Sequence, residues 1–198
     1  MTETGTRRVD LIAQTAMGLI AARGLRGLTH RAVDEAAGLP PGSTSYHART
    51  RARLVEIALQ HLADTEIRET GPAIQNLPAA SRPEAIDMVA ELSADFLHTA
   101  MVRDTEHTLA RFELALEANR RPELRRTYNR IGSGLRETVT AVLRGLGSPA
   151  PERHARTMIA WMDGVLFDSL AGSGSADPPS RDELRVNAAA FLRALLRP

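Results

Sequence analysis

The sequence contains no cysteine and no lysine. The first absence removes disulfides, thiolate nucleophiles and cysteine-held zinc or iron–sulfur sites. The second removes Schiff-base chemistry and the lysine of a Walker-type phosphate loop. All 25 basic side chains are therefore arginine. Arginine makes forked contacts to phosphate and guanine, which suits a nucleic-acid partner without demanding one. No run of about eighteen apolar residues occurs, so no membrane-spanning helix and no membrane partner are expected. Residues 1–10 are polar and lack the apolar stretch of a secretory signal, so the chain reads as cytoplasmic.

The 198 residues, 43% of them hydrophobic, are enough for a core in one medium domain or in a small one joined to a larger one. The net charge of +1 conceals an asymmetry. Residues 1–53 carry eight arginines against four acids (Glu3, Asp10, Asp34, Glu35), a balance of +4, and the remainder has a balance of −3. A basic end on a near-neutral body is the charge pattern of a polyanion-binding module joined to something else.

Apolar residues recur at helical spacing nearly everywhere, and no convincing period-two run exists, so the chain is all-α with about nine helices. Val9, Ile12, Ala16, Leu19 and Ile20 make one face of a first helix, which Gly24 closes as a C-terminal cap. Thr29 caps a second helix over residues 30–37, and Gly38 breaks it with a positive φ. A short third helix is expected over residues 41–48, with Pro41 in its first turn. Thr50 caps a long fourth helix reaching residue 69. Residues 70–83 read as a connector. Helices follow over 84–102, 105–119, 122–146, 151–170 and 181–196, with 171–179 as a loop.

The informative segment is the helix, glycine-centred turn and short helix of residues 27–47. Its first helix is expected to bury Ala32, Val33 and Ala36, with Leu39 plugging the corner. The short helix then offers Ser43, Ser45, Tyr46 and His47 outward. Small hydroxyls and flat polar rings are able to reach base edges in a major groove about 12 Å wide. The same pattern alone fits an ordinary αα-corner equally well.

Residues 9–54 resemble the DNA-binding domain of the TetR family of transcriptional regulators. The resemblance is carried by Leu19-Ile20-Ala21-Ala22-Arg23-Gly24-Leu25, Leu28-Thr29-His30-Arg31-Ala32-Val33, Glu35-Ala36-Ala37-Gly38-Leu39, Gly42-Ser43-Thr44-Ser45-Tyr46-His47, Thr50-Arg51 and Leu54. It implies a three-helix DNA-binding bundle over residues 1–53 and a helical ligand-binding and dimerisation domain over residues 54–198. It implies that Thr29 reaches a phosphate and that Arg31 makes a base or backbone contact. Pro41, Gly42, Ser43 and Ser45 then lead the recognition helix, Tyr46 and His47 touch the DNA backbone, and Arg51 clamps a phosphate. Three positions depart from the family pattern. Ile20 and Ala48 stand where aromatics are usual, and Pro40 replaces a hydroxyl cap before the recognition helix.

The resemblance further implies a repressor that binds a palindromic operator as a homodimer and is released by an apolar or amphipathic small molecule. Pocket candidates are Phe96, His98, Met101, His107, Arg111, Phe112, Trp161 and Met162. Dimer candidates are Met158, Trp161, Val165, Leu166, Ser169, Leu184, Ala188, Phe191, Leu192 and Leu195. No cofactor, resident metal or catalytic residue is expected. One alternative is a helical metal-binding enzyme, because Asp95/His98 and Asp104/His107 each place a carboxylate and an imidazole on one helical face. A second is a helical adaptor that binds protein. A hydrolase is disfavoured, because no nucleophile-elbow motif is present.

Overall fold

The computed structural model describes residues 3–75 and 81–197. Among the described residues it contains helices and no strands: α1 Glu3–Gly27, α2 His30–Ala36, α3 Ser43–His47, α4 Arg51–Gln75, α5 Arg82–Val102, α6 Thr105–Ala118, α7 Pro122–Gly145, α8 Pro151–Ala171 and α9 Arg181–Leu195, with a 3₁₀ turn at Ser173–Ala176. The all-α expectation holds.

Several boundaries differ from the sequence reading, each for a local reason. Gly24 takes φ 61°, yet the chain resumes helical geometry beyond it, so α1 bends there and ends at Gly27. Helix α4 runs on through residues 70–75, which the connector reading had assigned to irregular chain, and α5 opens at Arg82. The middle of that connector lies outside the described residues. Helix α5 starts early because Ser81 and Glu84 form a capping box: the Ser81 backbone N–H donates to Glu84 Oε2 at 2.9 Å and its hydroxyl at 2.7 Å. An equivalent box, Ser180 with Glu183, opens α9. The expected loop at 171–179 contains the 3₁₀ turn.

Two compact units emerge, residues 1–66 with 106–131 and residues 67–105 with 132–198. They divide the chain differently from the expected domain boundary at residues 53 and 54, which falls inside α4. In the first unit, Ile12, Ile20, Leu28, Val33, Leu54 and Leu59 form a core together with Ala110 and Leu114 of α6 and Leu124 of α7. Burying each large aliphatic side chain here contributes about 1.5–3 kcal/mol. Ile20 and Ala48 are both fully buried, so the smaller side chains are accommodated within the core.

In the second unit, Ile86, Ala90, Leu143, Met158, Ala188 and Leu192 form a separate core. Arg82 ties its helix ends together. Its Nε donates to the Leu146 carbonyl at 3.0 Å and its Nη2 to the Leu196 carbonyl at 2.8 Å. Both acceptors lie at helix C-termini, where carbonyls lack an intrahelical donor. Arg181 likewise bridges α9 to α5 through Glu91 and Asp95, at 2.8 and 2.7 Å. No described helix is long and apolar enough to cross a membrane.

Candidate nucleic-acid interface

The candidate interface comprises three short segments: the start of α2, helix α3 and the start of α4. Thr29 adopts extended backbone geometry and its hydroxyl accepts the Ala32 N–H at 3.1 Å, which frees α2 to start at His30. Helix α2 ends at Ala36, and Gly38, two residues on, turns the chain away with a φ of 64°. The Leu39 N–H closes the turn on the Asp34 carbonyl at 2.8 Å. Leu39 is half-buried against the first core, as expected.

Two expectations for this corner fail. Ala36 is exposed, and the residue enclosed on that side of α2 is Asp34, at 5% exposure. Pro41 does not enter the third helix, which begins at Ser43 after Gly42 takes φ 90°. Both outcomes have one cause. The Asp34 carboxylate accepts the Gly42 N–H at 2.8 Å, the Thr44 N–H at 2.8 Å and the Thr44 hydroxyl at 2.6 Å. A side chain from α2 therefore caps α3, doing what neither Pro40 nor Gly42 does with a side chain of its own. Burial pushes the Asp34 carboxyl up. The Thr44 hydroxyl, the Thr44 and Gly42 N–H groups and the nearby His30 outweigh it and hold the group below its ordinary value.

His30 fixes the other end of α3. Its Nε2 lies 2.6 Å from the Ala48 carbonyl, and a carbonyl only accepts, so the Nε2 nitrogen carries the proton. With both ends held, α3 presents Ser45 and Tyr46 to solvent. Tyr46 is 82% exposed, an unusual position for a large ring. It meets the half-buried His47 ring edge to face, with centroids 5.0 Å apart. Ser43 is half-buried, its hydroxyl donating to the Pro40 carbonyl at 2.7 Å, and Pro41 and Gly42 are exposed.

The basic residues divide by their partners. Arg31 is exposed and paired with Glu35 at 2.7 Å, and that partner raises its pKa. Arg51 is half-buried and its guanidinium donates to the Leu25 carbonyl, so it joins α4 to the end of α1. Arg49, in the turn between α3 and α4, is exposed. Sequence reasoning passed over Arg49 and Asp34. The only available signal for Asp34 was an acid among the apolar positions of α2, followed ten residues later by Thr44 where an apolar side chain would pack.

The effector candidates fall in both units. Phe96, His98, Met101, Trp161 and Met162 belong to the second, and His107, Arg111 and Phe112 to the first. Trp161 stacks on Phe191, with centroids 5.3 Å apart, and Met162 packs half-buried against the same core. Arg111 sits 4.8 Å above the Phe112 ring. Among the dimer candidates, Met158, Leu166, Ser169, Leu184, Ala188 and Leu192 are buried within the protomer. Trp161, Val165, Phe191 and Leu195 are half-buried, while Phe167 at 50% and Val186 at 55% stand exposed on α8 and α9. Asp95 is engaged by Arg181, and among the described residues no three His, Asp or Glu side chains converge as a metal site.

The chain from residue 84 to residue 198, more than half of it, matches the family model described as tetracyclin repressor-like, C-terminal domain. No curated protein matches the sequence. Solved structures do. A member of the TetR family from Streptomyces coelicolor A3 is 26% identical, with 96% of this chain and 99% of that chain covered and a TM-score of 0.70. The multidrug-binding protein EbrR, complexed with ethidium, is also 26% identical over 96% and 99% of the two chains, with a TM-score of 0.66. A transcriptional regulator from Rhodococcus sp. Rha1 shares the fold at 21% identity, with 95% of each chain covered and a TM-score of 0.74.

Proposed function

Because this chain belongs to the TetR family of transcriptional regulators, we propose that it is a repressor, a homodimer that holds a palindromic operator and releases it when a small molecule binds. The observation that carries the reading is the outward Tyr46 ring on a helix whose two ends are pinned by Asp34 and His30. A rigid, exposed α3 is what groove entry requires, since base-edge contacts need side chains held in register while phosphate contacts set the docking.

In this reading residues 1–53 bind DNA and residues 54–198 bind the effector and the second copy. Ser45 and Arg31 reach base edges, with Ser43 and Gly42 at the groove-facing start of α3. Thr29, Tyr46, His47 and Arg51 position the backbone, and Arg49 joins them. The exposed Phe167 of α8 and Val186 of α9 supply apolar surface for a two-fold dimer to cover. The effector is amphipathic, a class that includes the ethidium bound by EbrR. Its action requires a higher affinity for the state in which the two α3 helices no longer match the operator spacing.

Fluorescence anisotropy tests this directly. Duplexes are selected from a random library by the purified chain, and binding is then titrated against salt. Specific binding whose affinity falls steeply with salt supports the repressor reading. Recovery of no duplex above background would falsify it.

A further inference from the structure

The first unit contains a cleft of about 690 Å³ beside the bend at Gly24. Five arginines line it: Arg23 and Arg26 from the end of α1, Arg51 from the start of α4, and Arg120 and Arg121 from the turn between α6 and α7. Two carboxylates, Glu113 and Glu117, share the wall, leaving a formal surplus of three positive charges. Glu117 is already spent on its neighbours, pairing with Arg120 at 3.3 Å and Arg121 at 2.6 Å. Arg51 gives one nitrogen to the Leu25 carbonyl and keeps its other donors. Arg23 and Arg26 are exposed and make no hydrogen bond or ion pair among the described residues.

Like charges from three separate chain segments repel one another when drawn into one concavity, and the cost is relieved by an anion. Guanidinium forks match the oxygens of phosphate, and a group with several negative charges matches the surplus better than a single carboxylate does. The cleft's size is that of a small-molecule site. We infer that this cleft binds a small phosphate-bearing anion, of the diphosphate class, with Arg23 and Arg26 as the groups that capture it and Arg51, Arg120 and Arg121 as its floor. The site would tie the α6–α7 turn to the ends of α1 and α4. Anion binding here requires no DNA, so a thermal test of it stands apart from the repressor reading, with which the site shares Arg51.

The test uses the full chain with inorganic pyrophosphate as the probe. Thermal melts are recorded at constant ionic strength, for the wild type and for the double variant Arg23→Ala, Arg26→Ala. Pyrophosphate at about a hundred times its Kd is expected to raise the wild-type Tm by about 5 °C. The double variant is expected to melt like the wild type without the probe and to lose most of the rise with it. No rise beyond that given by chloride, or an equal rise in the double variant, overturns the site. In a second arm the double variant is titrated with duplex in the absence of pyrophosphate. If it loses as much affinity as Arg51→Ala does, the bound phosphate is that of the DNA backbone and the small-molecule site is refuted. Unchanged duplex binding supports it.

Discussion

Asp34 and Thr44 couple the two helices of the helix-turn-helix: one carboxylate oxygen accepts both the backbone N–H and the hydroxyl of Thr44, at 2.8 and 2.6 Å. The other oxygen accepts the Gly42 N–H at 2.8 Å. A buried carboxylate of this kind is tolerated only because its acceptor sites are filled. Replacing it by alanine leaves two N–H groups and a hydroxyl without their acceptor. Asp34→Ala is expected to cost about 2–4 kcal/mol and to weaken duplex binding through a mobile α3. Chemical denaturation alongside anisotropy checks both; a variant with wild-type stability would remove the capping role.

The same carboxyl predicts an acid dependence. Its folded pKa lies below the ordinary 3.8. Its contribution to stability is therefore complete above the unfolded value, and it declines as the pH falls from there through the folded value. Asp34→Asn is expected to flatten stability against pH below about pH 4 relative to the wild type. Parallel curves for the two proteins in that range would contradict the assignment.

Arg49 and Arg51 separate electrostatic from structural roles. Either alanine substitution is expected to reduce the slope of log affinity against log salt by about one. Arg51→Ala is expected to lower the Tm as well, because it loses the bond to the Leu25 carbonyl, whereas Arg49→Ala leaves the Tm in place. Tyr46→Ala is expected to weaken duplex binding by roughly tenfold, about 1.4 kcal/mol, with little effect on folding at its 82% exposure. Unaltered binding by all three variants would mean that DNA docks elsewhere.

Arg82 has one guanidinium on two helix C-termini. Arg82→Ala is expected to cost about 1–2 kcal/mol, a fall in Tm of roughly 2–8 °C. Arg82→Lys should recover little, since a single ammonium does not span both carbonyls. Full recovery by lysine would show that charge alone mattered.

The exposed apolar residues of α8 and α9 predict the dimer face. Phe167→Asp or Val186→Asp is expected to give a folded monomer by light scattering. Met158→Asp, at a position 3% exposed, is expected to unfold the second unit instead. A dimer that persists in both surface variants places the interface on other residues.

Local signals made much of this molecule legible in advance. Thr29, Gly38 and Thr50 act within three or four residues, through caps and a positive φ, and each sits where the spacing put it. The helical periodicity gave the all-α class, and the motif around Gly38 located α2 and α3. Pro41 and its immediate neighbours point to a helix start at 41, whereas the deciding hydrogen-bond acceptor is Asp34, seven residues earlier, which sets the start at Ser43.

Sequence alone therefore determined what depends on neighbouring residues: which segments are helical, where the helix-turn-helix lies, and that its end of the chain is basic. The tertiary structure decided what depends on distant ones. It buried Asp34 and left Ala36 in solvent, folded residues 106–131 with residues 1–66, and drew arginines at positions 23 to 121 into one cleft. Helix formation answers to local hydrogen bonds and side-chain period. Burial and charge convergence answer to which faces meet, and no short window of residues contains that information.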